Sequence, residues 1–175
     1  LDFLVDNVRP GALVISRYHA GTGDRDVSLI EVGLELLQRG IPIRYQKYNP
    51  LQTIKSFYEF CKKECGGVSV VECLDLWEEK LINQVTSRFK NLSEIQKQQK
   101  IDYAYERIHT VRLHLNLYKG HNQDDFMNFV QHLYDRNVQG VAVILSSAHA
   151  SKGLEAENVY VLNPHQLMQM RKNST

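Results

Sequence analysis

Residues that could bind a ligand are concentrated in one loop near the carboxyl end of the chain. The stretch from Val141 to Pro164 reads VAVILSSAHASKGLEAENVYVLNP. Two apolar runs that are typical of buried strands flank the polar segment SSAHASKGLE. That segment places a histidine, a lysine, a glycine and a glutamate between His149 and Glu155. A turn between two strands requires none of these side chains, so the loop is the first candidate for a functional site.

Each polar residue of this loop has a chemical use at the end of a parallel strand, where open α/β sheets bind ligands. Lys152 carries a point charge suited to a polyphosphate, and Gly153 allows the backbone to approach a ligand closely. Glu155 can accept hydrogen bonds from a sugar, and Ser147 and His149 can donate to a phosphodiester backbone. The loop is not a P-loop, because GxxxxGK[ST] occurs nowhere in the chain. From the residues alone, a polar surface loop with a glycine turn is an open alternative.

The elements that would position this loop begin with a βαβ unit near the amino end. Residues 12–17 (ALVISR) are an apolar run that predicts a buried strand. Residues 27–39 have the spacing of an amphipathic helix, which Gly40 ends in the C′ position. Residues 41–46 (IPIRYQ) predict a second strand, and Pro42 favours an edge position or a strand entry. Strand, helix and strand in this order indicate a parallel sheet.

The middle of the chain, between residues 51 and 137, shows helix signals and no strand signal. Capping boxes that begin at Ser69 and Ser93, and a cap at Asn122, predict three helix starts. The apolar stripes are interpreted as helix core: Ile54, Phe57, Tyr58, Cys61, Val71, Leu74, Leu81, Val85, Ile101, Tyr105, Ile108, Leu115, Phe126, Phe129, Val130 and Leu133. The helical histidines are predicted to be surface residues: His109, His114 and His132.

After the helices, the chain returns to strands at residues 141–145 and 158–162. Their apolar, β-branched composition predicts central strands of the same parallel sheet. The predicted fold class is therefore α/β, a parallel sheet flanked by helices with an inserted all-helical subdomain. The predicted boundaries are 1–50 and 138–175 for the sheet domain and 51–137 for the insertion.

Composition limits the function classes. The chain has 175 residues, 43% hydrophobic and 23% charged, with a formal net charge of +1. This balance gives no global field for nucleic acid, so any DNA contact must come from a local patch. The basic residues Arg88, Lys90, Lys97 and Lys100 have two interpretations. They could form a patch that faces phosphates, or they could belong to a solvated connection and helix face.

The cysteines and the ends of the chain bear on its location. Three cysteines without metal-ligand spacing, Cys61, Cys65 and Cys73, indicate buried thiols in a reducing compartment. No apolar run approaches the length of a membrane helix, and no signal peptide is visible. We therefore expect a cytoplasmic protein without a membrane partner or a metal site. Because the chain begins at Leu1, we expect it to be a piece of a longer protein.

Two segments resemble a known family. SSAHASKGLEAENVYVLNP resembles motif V of the UvrD/Rep-like superfamily 1 helicases, a strand followed by T-x-H-x-[AS]-K-G-L-E and another strand. Upstream, GALVISRYHAGTGDRDVSLIEVGLELLQRGIPIRYQ is similar to the family's segment IVa, in which a strand ends in an arginine, here Arg17. In motif V, Ser147 replaces the threonine, and the matching positions are His149, Lys152, Gly153, Leu154 and Glu155.

The resemblance implies a place in the helicase and a set of roles. The sheet would be the second RecA-like domain (2A) of a P-loop NTPase-type fold, and the helical insertion would be a reduced form of the family's 2B domain. Lys152, Gly153 and Glu155 would contact ATP, whose Mg²⁺ ligands lie outside this chain. Ser147 and His149 would contact single-stranded DNA. The partners implied are that DNA and the first RecA-like domain of the same protein.

Arg17 has two interpretations, a DNA contact by resemblance and a structural ion pair. Tyr18 and His19 are weaker candidates for the same DNA-facing rim. The chain has no Walker A lysine, no Walker B acidic pair and no motif VI arginine. Phosphoryl transfer needs these parts together, so we expect the fragment alone not to hydrolyse ATP. The alternative function is a non-catalytic, helicase-derived domain that binds nucleic acid or a protein.

Overall fold

The computed structural model describes residues 1–20, 26–88, 91–135 and 140–165. Its contacts divide the chain into two compact units. The sheet unit comprises Leu1–Asn49 and His132–Thr175, and the helical unit comprises Pro50–Gln131. The elements in chain order are α1 (Asp2–Asn7), β1 (Leu13–Ser16), α2 (Leu29–Gln38), β2 (Ile43–Gln46), α3 (Pro50–Glu64), α4 (Val70–Arg88), α5 (Glu94–Tyr118), α6 (Gln123–Asp135), β3 (Val143–Ser147) and β4 (Val159–Val161).

The sheet has four strands in the order β2-β3-β1-β4, and all of its pairings are parallel. This confirms the predicted α/β class with a parallel sheet and helices against it. The helix α2 packs on one face, where Gly33 lies directly beneath the Tyr45 hydroxyl and the Leu145 side chain. Any larger residue at position 33 would collide with both, so glycine there sets how closely helix and sheet approach.

The βαβ unit forms with the predicted strand, helix and strand, and with the predicted Gly40 at the end of the helix. The cap at the start of the helix was not predicted. Ser28 caps α2 by accepting a hydrogen bond from the backbone N–H of Glu31, whose carboxylate accepts from the Ser28 N–H in return. At the other end, Gly40 adopts φ +72° and donates to the Leu37 carbonyl, and Ile41 donates to the Leu36 carbonyl. This pair of bonds is a Schellman motif, which turns the chain from helix into β2.

The predicted central position of the last strand is wrong. The strand β4 pairs with β1 at the edge of the described sheet, and Val159 and Val161 are 50% and 46% exposed. An apolar, β-branched run suits a central strand and a half-buried edge strand equally, so composition could not separate them. The short helix α1 was not predicted at all; it begins without a side-chain cap.

The helical unit has its predicted helix starts. Ser69 and Ser93 form capping boxes, and the Asn122 side chain accepts from the N–H groups of Asp124 and Asp125. Phe57 is fully buried at the centre of the unit. The buried aromatic rings Trp77 and Phe126 pack against it, with centroids 5.3 and 6.3 Å away.

Two positions in the predicted apolar stripes are wrong. Val71 and Tyr105 are 46% and 45% exposed, whereas their neighbours Val70 and Ala104 are buried. The remaining predicted core positions of these two helices include Leu74, Leu81, Ile108 and Leu115, which are buried as predicted. The prediction was therefore wrong only at single positions, because neighbouring residues can satisfy a 3.6-residue repeat almost equally. The surface assignment of His114 is also wrong, since its side chain is completely buried.

Candidate functional site

The candidate loop begins as an ordered turn on the end of β3. The Ala148 N–H donates to the Ser16 carbonyl of β1 at 2.8 Å, which extends the sheet pairing beyond the strand. The Ser147 carbonyl accepts from the N–H groups of Ala150 and Ser151, both at 3.0 Å, and the Ser147 hydroxyl oxygen accepts from Ala150 at 3.3 Å. A hydroxyl that accepts in this way can still donate its hydrogen to a phosphate.

The rest of the loop presents its charged residues to solvent. Leu154 donates to the Ser151 carbonyl at 3.0 Å, and between them Gly153 adopts φ +82°. A Cβ at Gly153 would meet no atom within 4 Å, so the backbone conformation, and not lack of space, favours glycine there. Lys152 and Glu155 are exposed and, among the described residues, make no ion pair. His149 is exposed as well.

Arg17 lies beside this loop in the sheet. The strands β1 and β3 are neighbours, with Ser16 paired to Ser147. The segments that follow them therefore leave the carboxyl ends of the two strands side by side. The Arg17 guanidinium lies 5.0 Å from the centroid of the Tyr18 ring, a cation–π contact. Within the ranges that the structure describes, no carboxylate pairs with Arg17. The structural ion pair considered for this residue is therefore not found there.

A second pair of rings occupies the same edge. The His19 ring stacks on Tyr48 with centroids 4.2 Å apart and planes 13° from parallel. Tyr45 contacts Tyr48 edge-on, with centroids 6.2 Å apart. Tyr48 follows β2 after Lys47, a non-glycine residue in the left-handed region at φ +56°. Sequence reasoning missed Tyr48; the signal was an aromatic residue just beyond a predicted strand, at the edge where ligands bind.

Two further tyrosines of the sheet unit, Tyr45 and Tyr134, are half-buried. Burial raises the pKa of Tyr45 well above its usual value, and burial also raises the pKa of Tyr134. Both phenols therefore stay protonated at physiological pH and can act as hydrogen-bond donors, not as general bases.

The helical unit and the rest of the described chain contain other polar features. A cavity of about 490 Å³ in the helical unit opens between the loops that precede α4 and α6. Asp124 at its rim accepts hydrogen bonds from the Tyr58 hydroxyl at 2.6 Å and from the Lys62 ammonium at 2.9 Å. Over the described ranges, no group of three His, Cys, Asp or Glu side chains could hold a metal ion. No helix in those ranges is long and apolar enough to cross a membrane.

Comparisons with protein-family models, with curated proteins and with solved structures found no match to this chain. The class that the molecule itself defines is an α/β protein with a parallel sheet, whose carboxyl edge carries an exposed polar loop.

Proposed function

We propose that this chain is part of an ATP-dependent DNA helicase or translocase of the UvrD/Rep-like superfamily 1 type. The sheet unit would be most of its second RecA-like domain, and the helical unit would replace its 2B domain. The observation that carries the proposal is the pairing of Ser16 with Ser147 on adjacent parallel strands. It brings the two segments that resemble segment IVa and motif V, far apart in sequence, to one edge of one sheet.

The proposed roles follow from the chemistry of that edge. The exposed ammonium group of Lys152 would bind ATP phosphates, the open backbone at Gly153 would allow them to approach, and Glu155 would accept from the ribose. The proposed DNA-contacting residues are Ser147, His149 and Arg17.

The loop has side chains suited to the phosphates and the sugar of a nucleotide, but it has no complete set of ligands for the metal ion. The loop offers an exposed lysine and a left-handed glycine with free space beyond it. No three-ligand cluster exists in the described part of the chain. By the same resemblance, the Mg²⁺ ligands would lie in the first RecA-like domain, on the opposite wall of an interdomain cleft. ATP binding would draw the two domains together and hydrolysis would release them, which moves the motor along single-stranded DNA.

The test uses single substitutions in the full-length protein. Lys152→Ala and Glu155→Ala should each reduce ATP-driven unwinding at least about tenfold, the loss of one charged contact in the transition state. Matched controls are Lys55→Ala and Glu59→Ala, exposed residues of α3, which should unwind as wild type does. Circular dichroism should show the same fold for all four variants. Unchanged unwinding in the loop variants would remove the motif V assignment.

The isolated 175-residue chain provides a second arm. It should show no ATPase activity above background with single-stranded DNA, because the phosphate cradle and the arginine clamp are absent from its sequence. Robust turnover by this chain alone would contradict the proposal. A full-length protein that binds DNA without ATP turnover would instead support the non-catalytic interaction domain.

A further inference from the structure

The cavity of about 490 Å³ in the helical unit lies between two short loops, residues 65–69 before α4 and residues 119–122 before α6. Its volume is in the range of small-molecule sites. The Val70 N–H donates to the His121 carbonyl at 2.8 Å, and this bond joins the two loops. The lining residues all belong to the helical unit, whereas the candidate loop belongs to the sheet unit.

Hydrogen bonds and close packing hold the walls of this cavity in place. The side-chain NH2 group of Gln123 donates to the carbonyls of Cys65 and Val68, at 3.0 and 2.8 Å. Gly120 lies directly against the Tyr118 ring, with which a Cβ at that position would collide. Because the loops are ordered without a ligand, binding in the cavity would cost little conformational entropy.

The polar side chains of the cavity have unused hydrogen-bond donors. The Lys62 ammonium carries three N–H groups, and one of them is used on the Asp124 carboxylate at 2.9 Å. Asn122 uses its side-chain oxygen to cap α6, which leaves its NH2 group without a partner in the described part of the chain. Asp124 already accepts from Lys62 and from the Tyr58 hydroxyl. The free donors therefore suit an anion.

We propose that this cavity binds a small organic phosphate through its phosphate group. Lys62 would donate to the phosphate oxygens as a point charge, and the Asn122 NH2 group would donate to a further oxygen. The helices α4 and α6 both begin at the cavity, and the positive ends of their dipoles add to the attraction. This site is additional to the proposed ATP and DNA contacts and does not depend on them.

The lining of the cavity favours phosphate over carboxylate. A carboxylate is bound best by the two parallel N–H groups of an arginine, whereas a lysine binds phosphate as a point charge. Among the described residues that line the cavity, Lys62 is present and arginine is not. A phosphate group alone would fill only a small part of 490 Å³, so there is room for an organic group beside it.

The experiment titrates the 175-residue chain with inorganic phosphate and, separately, with glycerol 2-phosphate, at constant pH and ionic strength. Sodium acetate is the carboxylate comparison. Binding is followed by NMR through the backbone amide signals of Gly67, Ser69 and Asn122, which line the cavity. Circular dichroism checks that each variant folds.

Two variants remove the proposed donors, and each has a matched control. Lys62→Ala removes the ammonium group; its control is Lys63→Ala, because Lys63 is 82% exposed and does not line the cavity. Asn122→Asp keeps the helix cap, since Asp caps as well as Asn, but it replaces the NH2 donor with an oxygen. Its control is Asn83→Asp, the same change at an exposed position of α4.

We expect both phosphates to shift the three amide signals saturably, with glycerol 2-phosphate bound at least as tightly as inorganic phosphate. Acetate should give no saturable shift. Lys62→Ala and Asn122→Asp should each weaken binding about tenfold, the loss of one charge-assisted hydrogen bond. Lys63→Ala and Asn83→Asp should stay within about twofold of wild type, because salt screens charges that do not contact the ligand.

Four results would overturn the site. Without saturable shifts from either phosphate, the cavity does not bind the group proposed. Equal losses in Lys62→Ala and Lys63→Ala would indicate general attraction to positive charge. Acetate binding as tight as phosphate binding would exclude phosphate as the recognised group, and weaker binding of glycerol 2-phosphate would exclude an organic phosphate. Should Lys62→Ala not fold, the comparison of Asn122→Asp with Asn83→Asp decides.

Discussion

In the sheet unit, the polar residues of interest follow the ends of strands and are exposed or half-buried. In the helical unit, the unusual polar residues lie inside the helix packing. His114 is completely buried, and its Nδ1 is 2.7 Å from the Thr110 carbonyl, which requires that nitrogen to donate. Cys61 and Cys65 are buried free thiols whose pKa values burial raises.

The perturbed pKa values of the helical unit belong to buried groups that stay neutral. Burial lowers the pKa of His114 to about 4, so the ring is neutral at physiological pH. The thiols are neutral as well, which makes them poor nucleophiles. The largest pKa changes therefore occur at groups buried in a core. The candidate site is distinguished instead by exposure, loop geometry and sequence pattern.

The largest expected effect concerns the core of the helical unit. Phe57→Ala removes a fully buried ring between Trp77 and Phe126, and should lower the free energy of unfolding by about 3–5 kcal/mol. Phe3→Ala, at a position that is 80% exposed, should change it by less than about 0.5 kcal/mol. Urea unfolding followed by circular dichroism measures both variants, and the fluorescence of the single tryptophan, Trp77, follows the helical unit of Phe57→Ala. Equal midpoints for the two variants would mean that Phe57 does not lie in a packed core.

A second effect tests the buried histidine through pH. The pKa of His114 is lowered in the folded state from 6.5 to about 4, so the unfolded chain takes up this proton first. Above pH 6.5 the histidine is neutral in both states, and the free energy of unfolding is at its full value. As pH falls from 6.5 towards 4, protonation of the unfolded chain lowers the free energy of unfolding, by about 3 kcal/mol in total.

The matched variant for this effect is His114→Gln, which can still donate to Thr110 but does not titrate. Unfolding by urea at several pH values should show wild type losing more stability than this variant on acidification. His121→Gln, an exposed histidine of the same unit, should follow wild type. Parallel curves for wild type and His114→Gln would show that His114 is accessible to water.

The smallest effect concerns the candidate loop. Gly153→Ala forces a Cβ into the left-handed region at φ +82° and should cost about 1 kcal/mol. Gly66→Ala, where φ is not in that region and the Cβ position is open, should be nearly neutral. Calorimetric melting of both variants measures the difference. A neutral Gly153→Ala would mean that the loop adopts another backbone conformation.

The sequence predicted much of the fold because local signals were strong. Gly40 and the capping boxes at Ser69 and Ser93 mark helix ends through hydrogen bonds within a few residues, and these were confirmed. It did not predict that β4 lies at the edge or that His114 is buried. Both depend on contacts between segments distant in sequence. For the candidate site, the sequence singled out the loop, Arg17 and His19, but it did not predict that Tyr48 stacks on His19.

By itself, the sequence determined the alternation of strand and helix, the helix caps, and a polar loop after an apolar strand. These follow from periodicity and from side-chain bonds to nearby backbone, which act over a few residues. Only the tertiary structure decided the strand order β2-β3-β1-β4, and with it the pairing that sets Arg17 beside the Ser147 loop. Strand order depends on which apolar faces pack together between segments that are distant in sequence. The local pattern of residues within one strand does not determine which other strand it pairs with.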